Sequence, residues 1–212
     1  LVQIGYKKEE LEALPEQALM GLGCGSPVRL AETREGETVV DLGSGGGIDV
    51  FLAARQVGPS GRVIGVDMTP EMLARARANA ERLSLKNVEF RQGLIEALPV
   101  ADSSVDVVLS NCVINLAPDK GAVFKEAFRV LKPGGRLIVS DMVAKGEFPK
   151  EMRENPETWA ACISGALPEE EYLETIRKAG FPAVQVLTRE GLELGHVYSI
   201  TVRAEKAGGR AE

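Results

Sequence analysis

Apolar residues recur along this chain at two different intervals, and the points where the interval changes divide it into elements. In residues 7–20, Leu11, Leu14, Ala18 and Leu19 stand among Lys and Glu at helical spacing, which predicts a leader helix that breaks at Pro15. A loop from Gly21 to Pro27 follows, in which Ser26 and Pro27 suit the cap and first position of a short helix through Thr33. From there the pattern alternates. Apolar, largely β-branched runs at Thr38–Leu42, Arg62–Val66, Asn87–Arg91, Val105–Ser110 and Arg136–Asp141 predict strands. The stretches Ile48–Val57, Thr69–Leu83 and Asp119–Leu131 predict helices, and Lys132–Gly135 a turn. Short strands separated by such helices make a parallel sheet covered on both faces. Beyond Val143 come helical stretches near Pro156–Ile163 and Pro168–Ala179, then strands Val184–Thr188 and His196–Arg203, which fit a hairpin closing the sheet edge. The expected fold is α/β, with a mostly parallel seven-stranded sheet and a C-terminal helical insert.

Length and composition narrow this picture. The 212 residues suffice for one domain with appendages. We expect a helical and cysteine-loop segment over 1–35, a ligand-binding domain over 36–145, a helical insert with closing strands over 146–204, and a flexible tail over 205–212. A hydrophobic fraction of 44%, broken into short runs by 26% charged residues, speaks against both disorder and a membrane span. With 31 acidic against 25 basic side chains, a net charge of -6 and no Lys/Arg cluster, nucleic acid is an unfavourable partner. The three cysteines lack paired spacing and do not make the disulfide framework of a secreted mini-domain, so a reducing cytoplasm is expected; a monomer is expected as well. The first residue is Leu1, which leaves room for an upstream segment.

An open parallel sheet takes its ligand outside the carboxyl ends of its strands, where the strand order reverses. Here the first strand runs through Asp41 and Leu42 into Gly43-Ser44-Gly45-Gly46-Gly47, whose glycines let backbone lie against a ligand. The second strand leads to Asp67, whose carboxylate can accept both hydroxyls of a ribose. A plain strand-helix turn, with Asp67 as a helix cap, is the competing reading. The glycines depart from dinucleotide spacing and no phosphate-loop lysine follows, which disfavours NAD, ATP and GTP.

Asp41-x-Gly43-x-Gly45-x-Gly47 together with Asp67 resembles the first two motifs of class I S-adenosylmethionine-dependent methyltransferases, over roughly residues 36–142. The resemblance implies a Rossmann-like fold with S-adenosylmethionine as cofactor. It implies that Asp41, Gly43, Gly45 and Gly47 approach the methionine end, that Asp67 holds the ribose and that Met68 packs on the adenine. Many members place an acid after the glycine that follows the third strand, whereas here Leu94 follows Gly93. The adenine amino group would then be met by Glu96 and the Ile95 backbone N–H, although Glu96 reads equally well as solvated. Asn111 occupies the place where the family lines the sulfonium.

The cysteines are far apart: Cys24 in the early glycine loop, Cys112 directly after the fourth strand and Cys162 in the helical insert. Such separation does not indicate a structural zinc site, whose ligands come in close pairs, and each thiol alone reads as a small buried apolar residue. Yet the loop and the insert are the two segments free to cover the edge where Cys112 sits. The strings Gly21-Leu22-Gly23-Cys24-Gly25-Ser26-Pro27, Ser110-Asn111-Cys112-Val113-Ile114-Asn115-Leu116, Cys162-Ile163-Ser164-Gly165-Ala166 and Asp67-Met68-Thr69-Pro70-Glu71-Met72 closely resemble arsenite S-adenosylmethionine methyltransferases over about residues 18–167. That family implies that Cys24, Cys112 and Cys162 bind trivalent arsenic, with arsenite or its thiol conjugates as substrate and a cellular thiol as reductant. Family members often carry a further cysteine upstream of this loop; here none precedes Cys24.

The chemistry agrees. Three thiolates suit a soft atom and leave its lone pair free to attack the sulfonium methyl, and an acceptor that carries no proton requires no general base. The only histidine, His196, falls in the presumed last strand, away from the site, while Phe148 and Trp159 read as core or insert shielding. Two other functions remain at this stage: a methyltransferase for a carbon or oxygen acceptor of the quinone or sterol type, and a metalloid-binding module without turnover.

Overall fold

The computed structural model describes residues 1–19, 23–146, 165–190 and 197–208. Seven strands form one sheet: β1 (Thr38–Leu42), β2 (Arg62–Asp67), β3 (Val88–Gln92), β4 (Val105–Asn111), β5 (Leu131–Ala144), β6 (Ala183–Glu190) and β7 (Val197–Glu205). Their order is β3-β2-β1-β4-β5-β7-β6. The first five pair in parallel, and β7 runs antiparallel between β5 and β6, so the predicted hairpin does close the edge. The order reverses between β1 and β4, which puts their C-terminal ends at the crevice where such sheets bind ligands.

The period of two along the strands sorts the core into two layers. Val40 and Leu42 of β1 pack with Phe124 and Ala127 of α5 (Lys120–Val130) and with Tyr172 and Ile176 of the later helix Glu169–Lys178. Val39 and Val63 face the opposite way, onto Val50, Phe51 and Ala54 of α3 (Ile48–Val57) and Leu73 and Ala76 of α4 (Pro70–Arg82). Tyr6, Leu11 and Leu14 of the leader join this second layer, so the N-terminal segment is part of the packed body.

The leader breaks at Pro15 as predicted, into α1 (Lys8–Glu12) and a separate single turn at Glu16–Ala18. Two other elements differ from the sequence reading. First, α2 spans only Pro27–Leu30, and Ser26 at its cap position makes no side-chain capping bond; its Oγ is buried without a hydrogen-bond partner among the described residues. Finally, Lys132–Gly135 is incorporated into β5: Leu131 pairs with Val105, and Gly134 and Gly135 exchange backbone bonds with Lys206. Lys206 is thereby fastened to the sheet, its ammonium donating to the Phe128 and Leu131 carbonyls, so the tail begins beyond it and not at residue 205. The helix expected near Pro156–Ile163, with Phe148, Trp159, Cys162 and His196, lies outside the described residues.

Candidate active site

The site grows from the ends of β1, β2 and β4. Past Leu42 the chain turns back over β2, with the Gly43 and Ser44 N–H groups donating to the Val66 carbonyl at 2.8 and 3.0 Å. Gly43, Gly45 and Gly47 all have positive φ, which accounts for glycine at every second position. Asp67 lies against this loop, accepting from the Gly45 N–H through Oδ2 and from the Thr69 N–H through Oδ1, both at 2.9 Å. These bonds fix its carboxylate between the loop and the start of α4 while leaving further lone pairs to accept from a ligand. Beside it, Met68 is 65% and Leu94 52% exposed, two of four exposed large hydrophobic residues among those described. Gly93 N–H bonds the Asp67 carbonyl, so these side chains project from neighbouring strand ends. Ile95 is buried and Glu96 half-buried just beyond.

Beneath the loop lies a polar knot that sequence reasoning did not find. Asp49, in the first turn of α3, accepts from the Tyr6 hydroxyl at 2.9 Å through both oxygens. Asn111, at the end of β4, donates through Nδ2 to Tyr6 at 2.8 Å, to the Gly25 carbonyl at 2.9 Å and to Asp49 at 3.2 Å, while its Oδ1 accepts from the Cys24 N–H at 2.9 Å. Asn111 thus fastens the cysteine loop to the first turn of α3 below the glycine loop. Burial pushes the Asp49 carboxyl up to about 6 against these hydrogen bonds, and pushes Asp41 well above the carboxylate range, reinforced by the neighbouring charges of Asp49 and Asp67. The Tyr6 hydroxyl is raised by burial and by Asp49. Tyr6 at the end of the short apolar run Leu1–Tyr6, and an acid at the start of a buried helix, were the available signals.

Cys24 and Cys112 meet at the end of β4, with Cα atoms 5.3 Å apart across a sequence separation of 88, and they are joined as a disulfide. This corrects the expectation of unpaired thiols: widely spaced cysteines pair here because Asn111 ties the Cys24 backbone to the strand that delivers Cys112. Cys112 adopts φ 60, in the left-handed region, where a non-glycine residue is uncommon, and its N–H bonds the Ser140 carbonyl at 2.9 Å. A third donor stands near the pair, and it is Asp141 of β5: one of its carboxylate oxygens and both sulfurs lie within 4.8 Å of one another. Asp141 is fully buried and accepts from the Met142 N–H at 3.0 Å and the Tyr172 hydroxyl at 3.2 Å. Burial raises its carboxyl to about 7, against the lowering effect of these bonds, of Lys120 and of the Asn115 N–H.

The segment that follows Cys162 re-enters the described structure at Gly165, which rests on the turn after Cys112. A Cβ there would fall 1.9 Å from the Asn115 carbonyl oxygen, so only glycine permits the approach.

Comparison with known proteins agrees with this architecture. A family model described as "Methyltransferase domain" matches residues 33–180. An arsenite methyltransferase of Halobacterium salinarum is 48% identical over 188 residues, covering 89% of this chain and 48% of that protein. The arsenite methyltransferase of Homo sapiens is 39% identical, covering 85% of this chain and 50% of that protein. The crystal structure of an arsenic (III) S-adenosylmethionine methyltransferase from Chlamydomonas reinhardtii superposes with a TM-score of 0.80 at 37% identity, over 98% of this chain and 73% of that one. The chain spans about half the length of the curated relatives it matches. With a family model over most of its length and these relatives, the chain belongs to the methyltransferase domain family and, within it, to the arsenite S-adenosylmethionine methyltransferases.

Proposed function

We propose that this chain moves methyl groups from S-adenosylmethionine to trivalent arsenic held by Cys24, Cys112 and Cys162, an arsenic-detoxifying reaction. The observation that carries the reading is the meeting of two cysteines 88 residues apart beside the glycine loop. For the third, Gly165 lies against Asn115, three residues beyond Cys112, and itself follows Cys162 by three; a three-residue reach of at most ~10 Å keeps that thiol in range.

The cofactor-side residues suit the donor. A Cβ at Gly45 would meet no atom within 4 Å, so the loop presents an open face. Asp67 offers acceptors for ribose hydroxyls, and exposed Met68 and Leu94 offer apolar surface that a purine would cover. Ile95 and Glu96 follow on the adenine side, and Gly43, Gly47 and Asn111 border the methionine end. Buried Asp41 and Asp49 favour a cationic ligand above them. When bound, S-adenosylmethionine would supply an electrophilic methyl carbon on a sulfonium and depart as S-adenosylhomocysteine, its sulfur keeping the electron pair of the broken bond.

The work of the protein is then binding and aim. Two equivalents of a cellular thiol first reduce the Cys24–Cys112 disulfide to two thiols and leave joined to each other as their own disulfide. Three cysteine thiols next replace the three hydroxyls of arsenite, releasing three waters and leaving the arsenic lone pair unshared. No base is needed for an acceptor without a proton, and positioning supplies ~7–11 kcal/mol of rate acceleration in favourable cases. In this reading residues 1–35 and 146–204 bring substrate thiols over the 36–145 core, and the protein works as a cytoplasmic monomer. No helix among the described residues is long and apolar enough to cross a membrane.

Replacing Cys112 or Cys162 by serine abolishes arsenite methylation, followed by mass identification of products, while binding of the methyl donor persists. Full activity in either variant overturns the thiol reading.

A further inference from the structure

The disulfide corner carries more than the two sulfurs that the arsenic reading uses. Cys24 is almost fully buried, Cys112 is partly open, and the Asp141 carboxylate shares their 4.8 Å circle from the neighbouring strand. A tetrahedral zinc ion with sulfur donors at ~2.3 Å and oxygen at ~2.0–2.2 Å sets its donors ~3.5–3.8 Å apart, so little rearrangement is required once the sulfurs separate. The electrostatics point the same way. The groups bonded to Asp141 are the backbone amides of Met142 and Asn115 and the Tyr172 phenol, and the nearby Lys120 ammonium is turned to the Asn115 and Ala117 carbonyls at 3.3 and 3.4 Å. A buried carboxylate so placed has polar neighbours but no cation bonded to it among the described residues, and a dication between it and two thiolates compensates its desolvation.

We propose that, once their disulfide is reduced, Cys24, Cys112 and Asp141 form a binding site for a thiophilic divalent cation such as zinc, which competes with trivalent arsenic for the two sulfurs. Three protein donors leave the fourth tetrahedral position for water, as in open zinc sites. The oxidised pair has no thiolate to offer and holds no ion. The site goes beyond the arsenic reading, shares two sulfurs with it and does without Cys162, so either can fail alone.

The test reduces the protein with a phosphine, which yields two thiols and a phosphine oxide with one water consumed, and avoids added thiols that would chelate zinc. Zinc is then titrated by calorimetry. Reduced protein takes up a single zinc with release of thiol protons to buffer, and oxidised protein takes up none. Asp141→Asn weakens zinc binding by at least about tenfold while its thermal midpoint remains in the range of the unsubstituted protein, and Cys162→Ser leaves zinc affinity unchanged. In the unsubstituted reduced protein, zinc protects Cys24 and Cys112 from alkylation, leaves Cys162 reactive and raises the arsenite concentration needed for half occupancy. Equal zinc uptake by the oxidised form, unchanged affinity in folded Asp141→Asn, or a zinc-insensitive alkylation pattern each overturns the site. Methylation that survives Cys162→Ser would instead overturn the arsenic reading and leave the zinc site standing.

Discussion

The two halves of the candidate site are assembled in opposite ways. On the side proposed for the cofactor, Asp41, the glycine loop and Asp67 come from two consecutive strand-helix turns, and the bonds that shape them link neighbours in sequence order. On the thiol side, Cys24, Cys112 and Asp141 come from a leader loop and from two adjacent strands, and long-range contacts hold them together. The first half needs only correct local turns. The second exists only when the whole sheet is formed and the leader is docked on it. Asn111 is the joint, with one amide group shared between the cysteine loop, Tyr6 and Asp49.

Breaking that joint is the severest test of the contrast. Asn111→Leu leaves the Cys24 N–H, the Gly25 carbonyl and part of Asp49 without their partners, at about 1–3 kcal/mol for each buried unpaired group, so a loss on the order of 3–5 kcal/mol is expected. Urea unfolding measures it. In the surviving folded fraction, Cys24 becomes accessible to alkylation after reduction, whereas the bonds between Gly45, Thr69 and Asp67 do not depend on the substituted residue. A variant of unchanged stability with Cys24 still shielded would show that the leader loop is held by other means.

The same contrast explains what could be read in advance. The strands β1–β4 and the helices α3–α5 carry clean periodicity, and the glycine loop with its acid has a fixed place on such a sheet, so element positions agree to within a residue or so. Pro-Gly-Gly in Lys132–Gly135 has the local character of a turn, and its pairing with Lys206 depends on a strand more than 70 residues later in the chain. Asp141 was visible as an acid inside the apolar run Leu137–Met142, but nothing local reveals which loop faces it. Tyr6 and Asp49 are 43 residues apart, and their bond follows only from the packed leader. Meeting of Cys24 and Cys112 entered as a family resemblance, and their union as a disulfide was not anticipated.

Stability against pH separates the halves by their buried acids. Asp49 is raised from 3.8 to about 6 and Asp141 from 3.8 to about 7, both chiefly by burial. The folded state therefore binds these protons more tightly than the unfolded chain, and the stability each contributes in acid is lost as pH rises, between 4 and 6 for Asp49 and between 4 and 7 for Asp141. The loss is at most about 3 kcal/mol for Asp49 and about 4 kcal/mol for Asp141. Asp49→Asn removes the part of the decline that ends near pH 6, and Asp141→Asn the part that continues to about 7. Unfolding free energies of the variants relative to the unsubstituted protein, taken across this range, give the two windows; identical difference curves would contradict the assignment.

The smallest expected effect bears on the third thiol. Gly165 has space for no Cβ, which would lie 1.9 Å from the Asn115 oxygen and 2.9 Å from its carbonyl carbon, both backbone atoms that cannot swing aside. Gly165→Ala forces the chain after Cys162 away from the turn after Cys112, at an overpacking cost of about 1–3 kcal/mol. Asn115 Nδ2 bonds the Met142 carbonyl at 2.7 Å, and that bond anchors the turn, so the displacement falls mainly on the incoming segment. Cys24 and Cys112 keep their common anchor at Asn111 and Ser140, and arsenite should still protect both from alkylation while protecting Cys162 less. The methyl-donor residues proposed at the ends of β1 and β2 are not among the atoms that Gly165 meets, and donor affinity is expected to hold. A variant in which all three thiols remain equally protected would mean that Cys162 reaches the pair by a route that does not pass over Asn115.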